Sequence, residues 1–163
     1  MDFISHGLWS YIFFHTSKRP WLAVVFGMVP DTMSWFIYGA YKILFEGGFG
    51  KPNLDQIPNW VWTLYGISHS LVVSLTVIAI TFFIFARLGK ELPYQMFAWP
   101  IAVTMDLLTH SADFLPTPFL WPISNYAFDG LPWSTPWFFG GYWVLIVGLL
   151  GWIIWKKRRV TSF

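Results

Sequence analysis

The chain has 163 residues, of which 56% are hydrophobic and only 11% charged, with a formal net charge of +2, 12 Trp and no Cys. Its mean hydropathy of +0.53 excludes an ordinary soluble domain and points to an integral membrane protein. Without Cys there is neither a disulfide nor a thiolate site, so any metal has to be held by His, carboxylate or backbone oxygen.

In chain order, residues 3 to 16 (FISHGLWSYIFFHT) are apolar and lead to Lys18, Arg19 and Pro20. The start has no basic n-region and no small-residue cleavage site, so it is not a typical secretory signal. WLAVVFGMV, Pro30 and DTMSWFIYGAYKILF follow, which predicts a helix over 20–45 that Pro30 kinks or restarts. Three longer apolar runs come next, at 67–86, 95–112 and 138–155, each close to the roughly 20 residues that cross a bilayer. The expected fold is therefore all-α, a single integral membrane domain over 1–163 with about five membrane helices and an irregular N-terminal hairpin. No internal repeat is present. The segments at about 46–62 and 114–137, rich in Trp, Pro, Gly and Asn, read as interfacial loops covering something beneath.

Eight of the ten basic residues fall at three places: Lys18 and Arg19, Arg87 and Lys90, and Lys156 to Arg159. Five crossings put all of them on one side, which the positive-inside rule makes cytoplasmic. The expected location is the prokaryotic cytoplasmic membrane, with the N-terminus out and the C-terminus in. KKRR at 156–159 suits an anionic leaflet better than a nucleic acid, so no nucleic-acid partner is expected.

Against this apolar background, DLLTHSAD at 106–113 stands out, because on one helix Asp106, His110 and Asp113 would share a face. His6 lies twelve residues before Lys18 and Asp31 twelve after Arg19, so a hairpin about the basic turn brings them to similar heights. His69 and His110 fall near the outer ends of their helices. Alone, each has a plain structural reading: Asp31 as a helix cap, His69 as an interhelical hydrogen-bonding group, Asp106 with His110 as a buried pair. Together they are costly, since an Asp at a helix centre is worth about +2.5 to 3.5 kcal/mol against insertion. A shared divalent cation held by His6, Asp31, His69, Asp106 and His110 would offset that cost. Three imidazoles favour Zn²⁺, with Mn²⁺ or Mg²⁺ as alternatives. His15, beside Lys18, has no assigned role. No Gly-x-Ser-x-Gly elbow, P-loop or Gly-x-Gly-x-x-Gly occurs.

These residues also carry a resemblance. SHGLW (His6), GMVPDTMSW (Asp31), YGISHSLVV (His69) and MDLLTHSADFLPTPFLWPIS (Asp106, His110, Asp113) resemble, in order and spacing over most of the chain, the predicted membrane-bound metal-dependent hydrolases of prokaryotes. That family includes the LexA-binding inner-membrane-associated hydrolases. The resemblance implies a metal-bound hydrolase with these residues as ligands or acid/base groups facing a lipid-accessible cavity. The chain departs from the pattern at Ala102, where many relatives have His, and at Leu64 and Tyr65, where many have His-Arg.

The expected activity is hydrolysis of a lipid-linked phosphoester or other ester by metal-activated water at the extracytoplasmic side. Asp113 and Asp106 are the candidate catalytic carboxylates, Asp113 as acid/base. Membrane lipid is the expected surrounding and a lipid-like molecule the substrate; the sequence does not fix the oligomeric state. The rival expectation is a non-enzymatic carrier or binding protein for a divalent cation or a lipid. A carrier needs polar groups continuing toward the cytoplasmic half, and there the 67–86 run offers only Thr76 and Thr81.

Overall fold

The computed structural model describes residues 1–48 and 56–160, and all regular structure among them is helical. α1 (Phe3–Phe14) starts at Asp2, whose side chain accepts from the Ser5 backbone N–H as an N-cap. α2 (Pro20–Asp31) begins with Pro at its first position, where a missing N–H costs nothing. Pro30 lies inside α2, and directly after Asp31 the backbone widens into a π-helical turn (Thr32–Phe36) before α3 (Ile37–Phe45). The hydroxyls of Thr32 and Ser34 donate to the carbonyls of Met28 (2.7 Å) and Pro30 (2.9 Å), recovering polar groups that the irregular turn would strand.

α4 (Asn59–Ser68) and α5 (Leu71–Arg87) form a pair bent by 56° at His69 and Ser70. Ser70 caps α5 by accepting from Val73 N–H at 3.1 Å. A 3₁₀ turn (Tyr94–Phe97) leads into α6 (Ala98–Thr109), and α7 (Pro136–Val160) closes the described chain with three basic residues in its last turn.

The expected single helix over 67–86 is thus two, and α4 occupies part of the segment expected to be loop. Ser68, His69 and Ser70 form a polar step within the apolar run, and the chain bends there. Of the five membrane helices expected, two or three meet the length and apolarity of a span. Two helices, Pro20–Phe45 taken through its π turn and Pro136–Arg159, are long and apolar enough to cross a membrane, and the bent α4–α5 pair makes a third if it is one span. α1 and α6, at 12 residues each, reach about 18 Å at 1.5 Å per residue, well short of a hydrocarbon core of roughly 30 Å. α6 also stops at Thr109 rather than 112, because His110 is extended (φ −112°, ψ 148°).

α1 and α2 pack as a close hairpin against α6, and α7 lies along α1. Trp9, Ile12, Tyr142, Ile146 and Ile153 form the seam between α1 and α7. A second apolar cluster of Tyr38, Ile57 and Val61 joins α3 to α4. The α1–α2 approach depends on Gly27. A Cβ there would collide with the Ser10 hydroxyl, stand 2.8 Å from Ser10 Cβ and 3.2 Å from His6 O. Small residues are what let helix backbones come this near in an apolar setting. Gly27→Ala should destabilise the fold by about 1–3 kcal/mol, read as a lower unfolding midpoint in detergent. Ser10→Gly in the same chain should restore part of the loss; an unchanged midpoint in Gly27→Ala would refute the close contact.

Candidate functional site

Five ionisable side chains from α1, α2, the α4–α5 break and α6 meet at the helix ends remote from the basic turns. His6 projects from α1, Asp31 ends α2 just before the π turn, His69 sits in the break, Asp106 is on the last turn of α6 and His110 follows it. His6, His69, Asp106 and His110 are buried, whereas the Asp31 side chain keeps 12% of its surface exposed. Asp31 is therefore the member nearest solvent.

Asp106 is the hub. Its Oδ1 accepts from His6 Nε2 at 2.9 Å and from the α-amino group of Met1, which also lies 3.0 Å from His110 Nε2. Around it, His69 Nε2 stands 3.6 Å from both Asp106 Oδ2 and Asp31 Oδ1, His110 Nε2 is 3.6 Å from Asp106 Oδ1, and His6 Nε2 is 3.9 Å from Asp31 Oδ2. These separations exceed hydrogen-bond length.

The outward-facing nitrogens decide which atoms point inward. His69 Nδ1 lies 3.2 Å from the Tyr65 carbonyl, which can only accept, and 3.0 Å from the Ser68 hydroxyl, whose own proton is directed at the same carbonyl at 3.3 Å, an arrangement that favours a proton on Nδ1. Its Nε2 then presents a lone pair toward two carboxylates, and neither His69 Nε2 nor Asp106 Oδ2 has a hydrogen-bond partner. Two buried acceptors facing each other repel unless a proton or cation lies between them.

The chemistry of the donor set fits a divalent transition metal. Donors held roughly 2.1 Å from a tetrahedral ion lie about 3.4 Å from one another, close to the 3.6 Å separations here. Among the described residues, however, no group of three or more His, Asp or Glu side chains is arranged so that it could hold a metal ion without moving. The Met1 amino group lies against Asp106 and His110 where a cation would compete with it.

Asp113 does not join the cluster. The expected shared face with Asp106 and His110 fails because α6 ends at Thr109, and Asp113 falls in an exposed turn next to the Ser111–Phe114 bridge. Ala102 is buried in α6, one turn before Asp106, and adds no donor. Leu64 is half-buried on α4, while Tyr65, one turn before His69, reaches the site.

The segment after α6 supports both imidazoles. Gly130, Leu131 and Trp133 N–H groups bond the carbonyls of His110 (2.8 Å), Leu108 (3.0 Å) and Thr109 (2.8 Å), the last carbonyls of α6. At the other imidazole, Leu71 N–H donates to Phe119 O at 2.9 Å and the Ser70 hydroxyl to Trp121 O at 2.5 Å. Trp99 Nε1 donates to Ser68 O at 2.7 Å, tying α6 to the end of α4. Met1 is a site group that residue identity does not reveal, since a main-chain amine has no letter of its own.

Asp2 anchors this end of α1. It accepts from the Ser5 hydroxyl and, at 2.5 Å, from Tyr142 of α7. Burial pushes the Asp2 carboxyl up, but the hydrogen bonds from Ser5 and Tyr142 outweigh it and hold the group below its usual range. A carboxyl depressed in the folded state stabilises fully above its unfolded value of about 3.9 and loses that contribution as pH falls through the folded value. Asp2→Asn should therefore flatten the drop in stability below about pH 4, seen in unfolding midpoints across pH; an unchanged acid limb would show that Asp2 contributes nothing.

Comparison of the chain with protein-family models, with curated proteins and with solved structures finds no match.

Proposed function

We propose that this chain is a membrane-embedded, metal-dependent hydrolase acting on a lipid-linked phosphoester or other ester at the extracytoplasmic side of the prokaryotic cytoplasmic membrane. The observation that carries the reading is the pair of buried, unpartnered acceptors, His69 Nε2 and Asp106 Oδ2, facing each other at 3.6 Å. The sequence resemblance to membrane-bound metal-dependent hydrolases supports the same reading.

His6, Asp31, His69, Asp106 and His110 would hold the ion, with Zn²⁺ favoured by the three imidazoles. When bound, such an ion supplies Lewis acidity that activates water and polarises the scissile oxygen. The chain's own contributions follow from its geometry. His69 and His110 each have Nδ1 beside an outer acceptor, which leaves Nε2 as the inward donor atom. Asp106, fully buried, stands at the centre of the cluster within reach of all three imidazoles. Asp31, nearest solvent, is placed to take a proton from an entering water, a role its position suits better than that of the exposed Asp113. Loading the site entails moving the Met1 amino group off Asp106.

The basic turns at Lys18–Arg19 and Arg87–Lys90 and the basic end of α7 favour a cytoplasmic face opposite the cluster. Five crossings with the N-terminus out remain the proposed topology, α1 and α6 then crossing only part of the bilayer by themselves. A carrier would need a polar path onward, and the Thr76 and Thr81 hydroxyls instead bond back to Val72 O and Val77 O within α5 at 2.7 Å.

The deciding experiment is elemental analysis of C-terminally tagged, detergent-purified protein beside a His69→Ala, His110→Ala double variant. Near-stoichiometric divalent metal in the parent and its loss in the variant is the expected result. No metal in either after loading with Zn²⁺ or Mn²⁺ would overturn the reading. Asp106→Asn should insert normally while losing metal and phosphoesterase activity toward lipid vesicles. Metal retention with no hydrolysis by the parent would favour a binding protein or carrier.

A further inference from the structure

We infer that Tyr65, acting with Thr117, is a positioning residue that fixes which nitrogen His110 presents to the cluster, while the Tyr65 main chain does the same for His69. The purpose of this arrangement rests on the metal reading above; its geometry does not.

Tyr65 is buried to 1% exposure on α4, with the edges of its ring contacts to Trp35 and Trp62 at centroid distances of 5.6 and 5.8 Å. Its ring stacks on His69 with centroids 3.9 Å apart and planes at 27°. The ring is therefore held on two sides before any polar contact is counted.

The hydroxyl of Tyr65 donates to Leu115 O at 2.9 Å. A phenol has one proton, so toward His110 Nδ1, 3.2 Å away, that oxygen can only accept. Thr117 Oγ1 lies 3.0 Å from the same Nδ1 and is itself buried. The Thr117 hydroxyl can serve in either sense, but Tyr65 can only accept, so the pair favours a proton on His110 Nδ1 and a lone pair on Nε2 directed at the Met1 amino group and Asp106. One helical turn along the chain, the carbonyl of Tyr65 accepts from His69 Nδ1 at 3.2 Å and from His69 N–H at 2.8 Å. Tyr65 therefore touches the outer nitrogen of two imidazoles, with Thr117 through its side chain at His110 and with the Ser68 hydroxyl through its main chain at His69. Groups that hold the outer nitrogen of a metal-binding imidazole typically change metal affinity 10–100-fold when lost.

The two routes separate in one experiment. The full chain carries four His, so ¹⁵N-histidine labelling in detergent gives few ring signals, and protonated and bare ring nitrogens resonate far apart. In metal-free parent protein both His69 and His110 should show a protonated Nδ1 and a bare Nε2. In the Tyr65→Phe, Thr117→Val double variant, His110 should lose that pattern and populate the other tautomer. His69 should keep it, because Phe retains the carbonyl at position 65. Zn²⁺ affinity of the double variant should fall about 10–100-fold, and Thr117→Ser in place of Thr117→Val should recover only part of it, the rest returning with Tyr65.

An unchanged His110 pattern in the double variant would overturn the proposal. Equal changes at His69 and His110 would also overturn it, since they would mean general loosening. Should the double variant not fold, Tyr65→Phe and Thr117→Val are read singly, and no His110 shift in either is the overturning result. If the parent binds no Zn²⁺ at all, the metal reading fails while the nitrogen signals still decide the role of Tyr65.

Discussion

A carboxylate taken out of water has to be given partners, and the burial of Asp106 organises the meeting of the helices. Its oxygens are reached from α1 by His6, from the chain start by the Met1 amino group, and from the α4–α5 break by His69. α1 and α2 must therefore lie close enough to α6 for the imidazole to reach, which is where the glycine contact at Gly27 matters. The aliphatic and aromatic seams fill the remaining space, but they do not dictate which helix ends meet. The electrostatic demand of one buried group does, because its unmet cost exceeds that of any single apolar contact.

The backbone departs from regular helix at three of the places that carry site residues. A π turn follows Asp31, a bend holds His69, and His110 turns extended at the end of α6. Each departure frees main-chain groups that an apolar surrounding would penalise, and several are recovered by name: Pro30 O by the Ser34 hydroxyl, Leu71 N–H by Phe119 O, His110 O by Gly130 N–H. Irregular backbone is thus concentrated where side chains must be aimed off a helix's natural face. α5 and α7, which hold none of the five side chains within their helical spans, run as uninterrupted helices.

Ionisable residues in apolar runs were the legible part of the site. His6, Asp31, His69, Asp106 and His110 are conspicuous in the chain because each is costly alone, and counting from the basic turns brings them toward one end. Asp113 was misplaced because the count assumed that the helix continues past Thr109, whereas the carbonyls there bond to a segment some twenty residues on, a pairing without a local signal. α4 was hidden by its Trp and Tyr content, which suits an interface as well as a helix. Apolar runs hide their internal breaks: 95–112 divides into a 3₁₀ turn and a 12-residue helix. Tyr65 was visible only as a departure from a family pattern, since the partners that give it meaning, Leu115 and Thr117, are about fifty residues away in the chain.

The segment between α6 and α7 holds both imidazoles chiefly through its main chain. Leu115, Phe119 and Trp121 contribute carbonyl oxygens, and Gly130, Leu131 and Trp133 contribute N–H groups. Any residue but proline can supply an N–H and every residue supplies a carbonyl, so most of these positions tolerate changes of side chain provided that the path of the chain is kept. Gly130 is the exception, because a Cβ there would stand 2.5 Å from Leu108 O and 2.7 Å from His110 O, both fixed backbone atoms. Alterations of length in this stretch therefore bear on the site far more than alterations of residue type. Two chains sharing this scaffold could look unrelated across these residues and yet hold their imidazoles in the same way.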